Sequence, residues 1–250
     1  RVLDRLKADL STRHIPICIV STDDSRDRAL AAGAVGFIAK PVTSVEIIDR
    51  AIARIGDYIA RPRHTVALVM TASPETEALT ARLAENAIDA VLVTDSERIG
   101  TLLRAYAIDC LVVEPGASDL QPAHLVDAAE QRAVVGHLPI VIYGSVASDA
   151  LSRWRPRDGV FALREARSPE RLLDAICFFL HRPLEDLAER ERKTLADLHR
   201  DDRVLDGKKA LIVDDDMRNI FALSTVLHYH GMQIVSANNG HEAIDLVRRD

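Results

Sequence analysis

The sequence predicts an α/β chain organised around a doubly wound, five-stranded parallel sheet, and three observations carry that expectation. Short apolar runs rich in β-branched residues, at 15–20, 65–69, 90–93, 110–113, 140–143, 160–163, 210–213 and 233–236, alternate with helix-length segments. That order gives parallel strands covered on both faces. The pattern also repeats inside the chain. A shift of 124 aligns Phe37, Ser44, Glu46, Ala51 and Ile52 with Phe161, Ser168, Glu170, Ala175 and Ile176, and a shift of 144 aligns Val69, Ala78, Leu79 and Leu83 with Val213, Ala222, Leu223 and Leu227. Only the middle copy holds all five strands, and its spacing fits the order 2-1-3-4-5, with ligand positions at the carboxyl ends of the strands.

The repeats divide the chain into four parts. Residues 1–60 read as the C-terminal part of one unit, 64–182 as the complete unit, 183–206 as a charged helical connector, and 207–250 as the N-terminal part of a third unit. Leu184, Leu187, Leu195 and Leu198 fall on one helical stripe of the connector. It reads either as the preceding helix continued into solvent or as a signalling helix or short coiled coil.

Composition narrows the function classes. Hydrophobic residues make up 48% of 250, enough for ordinary cores, while the net charge is only −6 with dispersed basic residues, so no nucleic-acid partner is expected. Cys18, Cys110 and Cys177 sit in apolar runs and read as core thiols of a reducing compartment. No run approaches the roughly 20 apolar residues that span a bilayer, and no signal peptide opens the chain. A soluble, cytoplasmic chain without direct membrane contact is expected.

Chemistry gathers at strand ends. Residues 210–213 empty into Asp214, Asp215 and Asp216. Clustered carboxylates repel one another, so at such a position they face water or share a cation, and hard oxygen ligands suit Mg²⁺; a plain acidic turn is the alternative. In the first unit, strand 17–20 ends in Ser21-Thr22 and strand 36–39 in Lys40-Pro41. A hydroxyl and an ammonium at neighbouring strand ends both suit phosphoryl oxygens.

Together these features resemble the receiver domains of two-component response regulators, whose fold is receiver- or flavodoxin-like. Residues 207–227, with Ser168-Pro169-Glu170-Arg171-Leu172-Leu173-Asp174 and Phe179-Leu180-His181-Arg182 upstream, look like the tandem-receiver tail of bacterial hybrid sensor histidine kinases. The resemblance implies a phosphorelay. An aspartate after the third strand accepts a phosphoryl group from a histidine kinase or phosphotransfer domain, Mg²⁺ is held by an acidic pair, and a hydroxyl and a lysine sense the phosphoryl group and shift a helical face. It makes Asp214 and Asp215 the metal pair of the third unit and Ser21 and Lys40 the switch residues of the first, with neighbouring receiver domains as partners.

The middle unit departs from that pattern at each position. Counting places Met70 and Thr71 where the acids belong, Glu114 at the acceptor position, Gly144 opposite Ser21, and Arg164-Glu165 in place of Lys40-Pro41. A lone glutamate without metal partners is a poor phosphoryl acceptor, so this unit is expected to be a degenerate, regulatory receiver without a metal. Glu114 then either pairs with Arg164 or faces solvent. Thr71 and Glu114 lie 43 residues apart, which puts the third unit's acceptor near position 258. The 50 residues from Glu114 to Arg164 put the first unit's about ten positions before Arg1, so both phospho-acceptors are expected outside these residues.

A second reading is a ligand-sensing module. Arg153, Trp154 and Arg155 put guanidinium groups around an aromatic ring, which suits phosphate and base stacking. Asp201-Asp202-Arg203 resembles a linker motif found after pseudo-receivers in hybrid kinases governed by a cyclic dinucleotide. The commoner reading of such a basic stretch is a surface that docks another domain. None of the nine histidines sits in a helix with the His-Glu/Asp pattern of a dimerisation domain, and no Gly-rich ATP lid occurs. No catalytic domain is read here; kinase activity belongs to the parent protein.

Overall fold

The computed structural model describes residues 2–22, 26–94, 96–105, 108–117, 120, 125, 138–144, 161–203, 207–229 and 232–249. The chain divides into two compact units, Arg1–Arg192 and Lys193–Asp250.

Strands β3 (His64–Val69), β4 (Ile88–Leu92), β5 (Ile108–Val113), β6 (Leu138–Tyr143) and β7 (Phe161–Ala166) form one parallel sheet in the order β4-β3-β5-β6-β7, which is 2-1-3-4-5 counted from β3. The strands already named are preceded by β1 (Cys18–Ser21) and β2 (Gly36–Ala39). The central strands read as nearly unbroken apolar runs because both faces are covered. Val66, Leu68, Cys110, Val112 and Val141 are fully buried on one face, and Ala67, Leu111, Ile140 and Ile142 on the other. Ile99 and Leu103 of helix α5 (Ser96–Ala105) complete the second of these cores. Helix α4 (Pro74–Glu85) packs on β4, and α6 (Pro169–Phe179) on β6 and β7. Both helices start the same way: Ser73 and Ser168 accept the amides of Thr76 and Arg171, and a proline follows each cap where its missing N–H costs nothing.

Residues 2–60 add helices α1 (Val2–Ala8), α2 (Arg26–Ala31) and α3 (Val45–Ala60) and a two-stranded parallel sheet of β1 and β2. The apolar run at 15–20 becomes strand only from Cys18. Ile15 donates its N–H back to the Thr12 carbonyl in a turn, and Pro16 has no N–H for a ladder. These elements are not separate from the five-stranded sheet. Helix α2 lies along β7 and covers that edge, the part of a sheet that otherwise stays open to pairing. Arg13 and Asp174 of α6 form a buried ion pair at 2.7 Å. Lys7 donates to the carbonyls of Arg13 (2.7 Å) and Ile15 (2.8 Å) and lies 3.1 Å from His181 Nδ1.

A second joint sits where α3 runs into β3. The Tyr58 ring stacks on His64 with centroids 4.4 Å apart, and Arg61 holds Asp109 in a two-pronged bond at 2.6 and 3.2 Å. Asp109 also accepts the Thr65 amide at 2.9 Å, and its Oδ2 is 3.4 Å from His64 Nδ1. Burial alone would raise this carboxyl, but His64, Arg61 and the Thr65 amide outweigh it and hold it below its ordinary value.

The connector does not continue the helix before it. Helix α6 ends in a Schellman turn: His181 takes φ +51°, its N–H reaches the Phe178 carbonyl, and the Arg182 N–H reaches Cys177 at 2.9 Å. Pro183 then bars a further helical turn. A 3₁₀ turn (Leu184–Asp186) precedes helix α7 (Glu189–Arg203). Leu187 and Leu195 of the predicted stripe are buried, while Leu184 and Leu198 are half-buried. The start of α7 is tied to α4. Glu191, 2% exposed, is bonded by two guanidinium nitrogens of Arg82. The Asn86 side chain accepts the Ala188 amide at 2.9 Å and donates to the Arg82 carbonyl.

The second compact unit holds β8 (Lys209–Val213), helix α8 (Met217–Tyr229), β9 (Gln233–Ala237) and helix α9 (Gly240–Arg249), with β8 and β9 paired in parallel. Phe221, Val226, Ile244 and Val247 are exposed. Cys110 and Cys177 are buried free thiols and Cys18 is half-buried, and burial pushes the Cys177 thiol up to about 12. Among the described residues no helix is long and apolar enough to cross a membrane.

Two measurements test these joints. Asn86→Ala removes the partner of the Ala188 amide and should lower unfolding free energy by about 1–2 kcal/mol in denaturant melts, with an unchanged slope. Burial, and secondarily Arg13, lower Lys7 to about 8 from an ordinary value near 10.5. Between those values the unfolded chain holds a proton that the folded chain has lost, so this group's contribution to stability is least below pH 8 and grows as pH rises. Wild-type protein should therefore gain stability relative to Lys7→Met as pH is raised from 7 to 10, and a difference that stays flat would contradict the burial of the charge.

Candidate functional site

Three groups of residues stand at carboxyl ends of parallel strands. In the first, Ser21 is the last paired residue of β1 opposite Ala39, and the Lys40 amide donates to the Ser21 carbonyl at 2.8 Å. Neighbouring strands lie about 4.8 Å apart, so this bond brings a half-buried serine and an exposed lysine side by side. The Lys40-Pro41 peptide is cis. A hydroxyl donor and an ammonium there can both meet one anionic group.

The second group closes the middle unit. Glu114 follows β5; its amide donates to Val69, and its carboxylate accepts the Thr71 amide at 2.9 Å. It therefore bridges the ends of β5 and β3 while remaining half-buried. It is not joined to Arg164, whose guanidinium lies 3.5 Å over the Phe178 ring. Met70, where an acid was sought, is 5% exposed. Gly144 follows β6 with φ +110° and donates to Ala166 at 2.9 Å. The sequence count that set Arg164 against Lys40 needs a correction. Arg164 pairs with Val141 inside β7, and the last pair is Tyr143 with Ala166. The strand runs longer here and absorbs residues that form the Lys-Pro loop after β2. Arg167, exposed and 3.5 Å from Glu165, is the residue just past β7, as Lys40 is just past β2. Sequence alignment alone missed it because the helix caps Ser44 and Ser168 align while the strand ends between them do not.

The third group follows β8. The Asp214 carboxylate accepts the Asp216 amide at 2.8 Å and approaches the Asn219 side-chain amide at 3.2 and 3.3 Å. Asp215 is exposed. Arg218 bonds Asp216 through backbone and guanidinium and holds its carboxyl below the usual range. Asp216 is thus committed to Arg218, leaving Asp214 and Asp215 as hard oxygen donors. Among the described residues no group of three or more His, Cys, Asp or Glu is arranged to hold a metal. Two carboxylates suit Mg²⁺, which retains several waters. Asn219, on the helix that follows these acids, is the group that orients Asp214.

The stretch Arg153-Trp154-Arg155 lies outside the described residues. Asp201, Asp202 and Arg203 form the last helical residues of α7.

No family model matches the sequence, and no curated protein matches it. Among solved structures, the chain is similar to the signal receiver domain of a Vibrio parahaemolyticus protein assigned as a Luxo repressor. The two are 15% identical, with a TM-score of 0.36 over 52% of this chain and 98% of that one.

The Glu114 bridge has a direct consequence. Glu114→Ala should speed hydrogen exchange of the Thr71 amide about tenfold, the factor that 1.4 kcal/mol gives. Glu114→Gln retains an acceptor and should leave it protected.

Proposed function

We propose that this chain is a signalling segment of a phosphorelay: a degenerate central receiver at 64–182 flanked by parts of two phospho-accepting receivers, at 1–60 and 207–250, from the cytoplasmic receiver array of a hybrid histidine kinase. The observation that carries this reading is the Ser21–Lys40 pair, a hydroxyl-bearing and an ammonium-bearing residue whose backbones are bonded at neighbouring parallel strand ends. It is supported by acids at the end of β8 and by a five-stranded parallel sheet that has Met70 and Thr71, not acids, after its first strand, with Glu114 after its third. The two flanking sheets have only two strands each, fewer than an independently stable sheet needs, and the exposed Val45, Ile48, Ile52 and Ile59 of α3 leave an apolar stripe. Both facts favour partial units.

In this reading Ser21 donates a hydrogen bond to a phosphoryl oxygen and Lys40 neutralises its charge. Asp214 and Asp215 would hold Mg²⁺, which supplies charge neutralisation at the phosphoryl group when bound. Asn219 positions Asp214 for that task. The middle unit lacks the acid pair after its first strand, where Met70 and Thr71 stand, and its Glu114 carboxylate holds the Thr71 amide. Its role is regulatory, toward the neighbouring receivers and through them the histidine kinase or phosphotransfer domain.

Treated with acetyl phosphate and Mg²⁺, the 250-residue chain should gain no phosphoryl group by mass spectrometry. A chain extended upstream to complete the first unit should gain one, and lose most of its response in Lys40→Ala. Stoichiometric phosphorylation of Glu114 would overturn the degenerate assignment, and no uptake by the extended chain would overturn the first-unit assignment.

A further inference from the structure

We infer that the β7–α6 edge of the middle unit is the surface that reads the state of the Ser21 and Lys40 strand ends, through the turn at Gly33 and the ring of Phe178; the inference rests on the phosphoryl-sensing reading of those two residues.

The contact is close and specific. Gly33 ends the turn after α2 with φ +91°, and a Cβ built there would lie 2.5 Å from Phe178 Cζ, so only glycine lets the backbone approach the ring. Phe178 is 2% exposed, and the Arg164 guanidinium covers it at 3.5 Å from β7. Beside it, the Arg13–Asp174 pair joins the chain before β1 to α6. Arg13 and Gly33 thus fasten residues 2–60 to the β7–α6 edge, apart from the joint that Tyr58 makes with His64 at the end of α3.

The chain path gives those points a meaning. Arg13 lies five residues before β1 and Gly33 three residues before β2. Both fastenings therefore sit at the starts of the two strands whose far ends carry Ser21 and Lys40. Helix α2 spans the same distance in the other direction: it begins five residues after Ser21 and ends two before Gly33. Six helical residues extend about 9 Å. With the strand starts held, a displacement at the strand ends has α2 as its outlet, and α2 lies along β7. Arg164 then has a use that needs no phosphate: it stiffens the ring against which the turn bears.

Coupling of this kind is reciprocal, so it can be measured from the middle unit's side. The reporter is the Lys40 amide, whose bond to Ser21 ties the strand ends together. In NMR-detected hydrogen exchange on the whole 250-residue chain, Asp174→Asn and Arg164→Met should each speed Lys40 exchange about tenfold, within the usual coupling range. The amides of Val112 and Val141 in the central sheet should not change. Arg82→Met, which disturbs a pair with Glu191 in the same compact unit, should leave Lys40 unchanged. Arg164→Met leaves the Arg13–Asp174 pair in place and keeps the test sound if Asp174→Asn fails to fold. Unchanged Lys40 exchange in Arg164→Met, or a rise matched by Val112 and Val141, overturns the inference. Phosphoryl uptake by the upstream-extended chain decides the underlying reading separately: uptake without an exchange response removes only the coupling.

Discussion

A parallel sheet has no face that tolerates water and two edges that invite pairing, and the arrangement of residues 2–192 follows from meeting that constraint. Helices α4, α5 and α6 cover the faces of the five-stranded sheet. The β7 edge is covered by α2, an element that belongs, by its repeat pattern, to the preceding unit. Borrowing a neighbour's helix brings charge with it. Arg13 and Lys7 arrive beside α6 in surroundings where an unpaired cation would cost several kcal/mol, and Asp174, backbone carbonyls and the His181 ring receive them. The same logic places Arg61 on Asp109 at the base of the sheet. The joints are polar because the linking segment is short and basic: only Arg61, Pro62 and Arg63 separate α3 from β3.

With the sheet bases fixed by these joints, the carboxyl ends are left for chemistry, and the three ends of interest differ in what occupies them. After β8, acids stand close enough that one is satisfied by an asparagine and another by an arginine, leaving oxygen donors outward. After β1 and β2, a hydroxyl and an ammonium are tied by one backbone bond. After β3 and β5, the polar groups bond one another. Asp215 and Lys40 in the first two are exposed, whereas in the third the Glu114 carboxylate holds the Thr71 amide.

Much of this was legible in the sequence, and the failures have identifiable causes. Residues 64–69, 108–113 and 138–143 announce themselves because central parallel strands are apolar throughout, and the strand-end residues Ser21, Lys40 and Asp214 follow from where those runs stop. The extent of β7 was not legible: Arg164 and Glu165 look like loop residues, yet they lie within a strand because Arg164 finds the Phe178 ring and Glu165 the surface. The end of α6 was misread for the opposite reason. Its charged continuation has helical spacing, but a histidine in the left-handed region followed by Pro183 stops it. The Arg13–Asp174 and Arg61–Asp109 pairs join residues far apart in sequence, and no periodicity signals such a partnership. The turn that ends α2 accounts locally for a glycine at position 33, with φ +91°, but its approach to a ring 145 positions later has no local sign.

The contrast between the strand ends also bears on why a receiver-like sheet would keep its core while giving up its acids. Clustered carboxylates are an electrostatic cost that a fold carries only where an occupant uses them. Met70, nearly buried, and Thr71, bonded through its amide to Glu114, remove that cost and join β3 to β5 across the site. That bond ties the ends of β3 and β5 to one another. A stiff unit is a poor phosphate switch but a good abutment: a helix such as α2 can shift only relative to something that does not yield. On the reading proposed above, the absence of an acid pair after β3 and the buried polar joint along the β7 edge serve one end, a unit against which a neighbour switches.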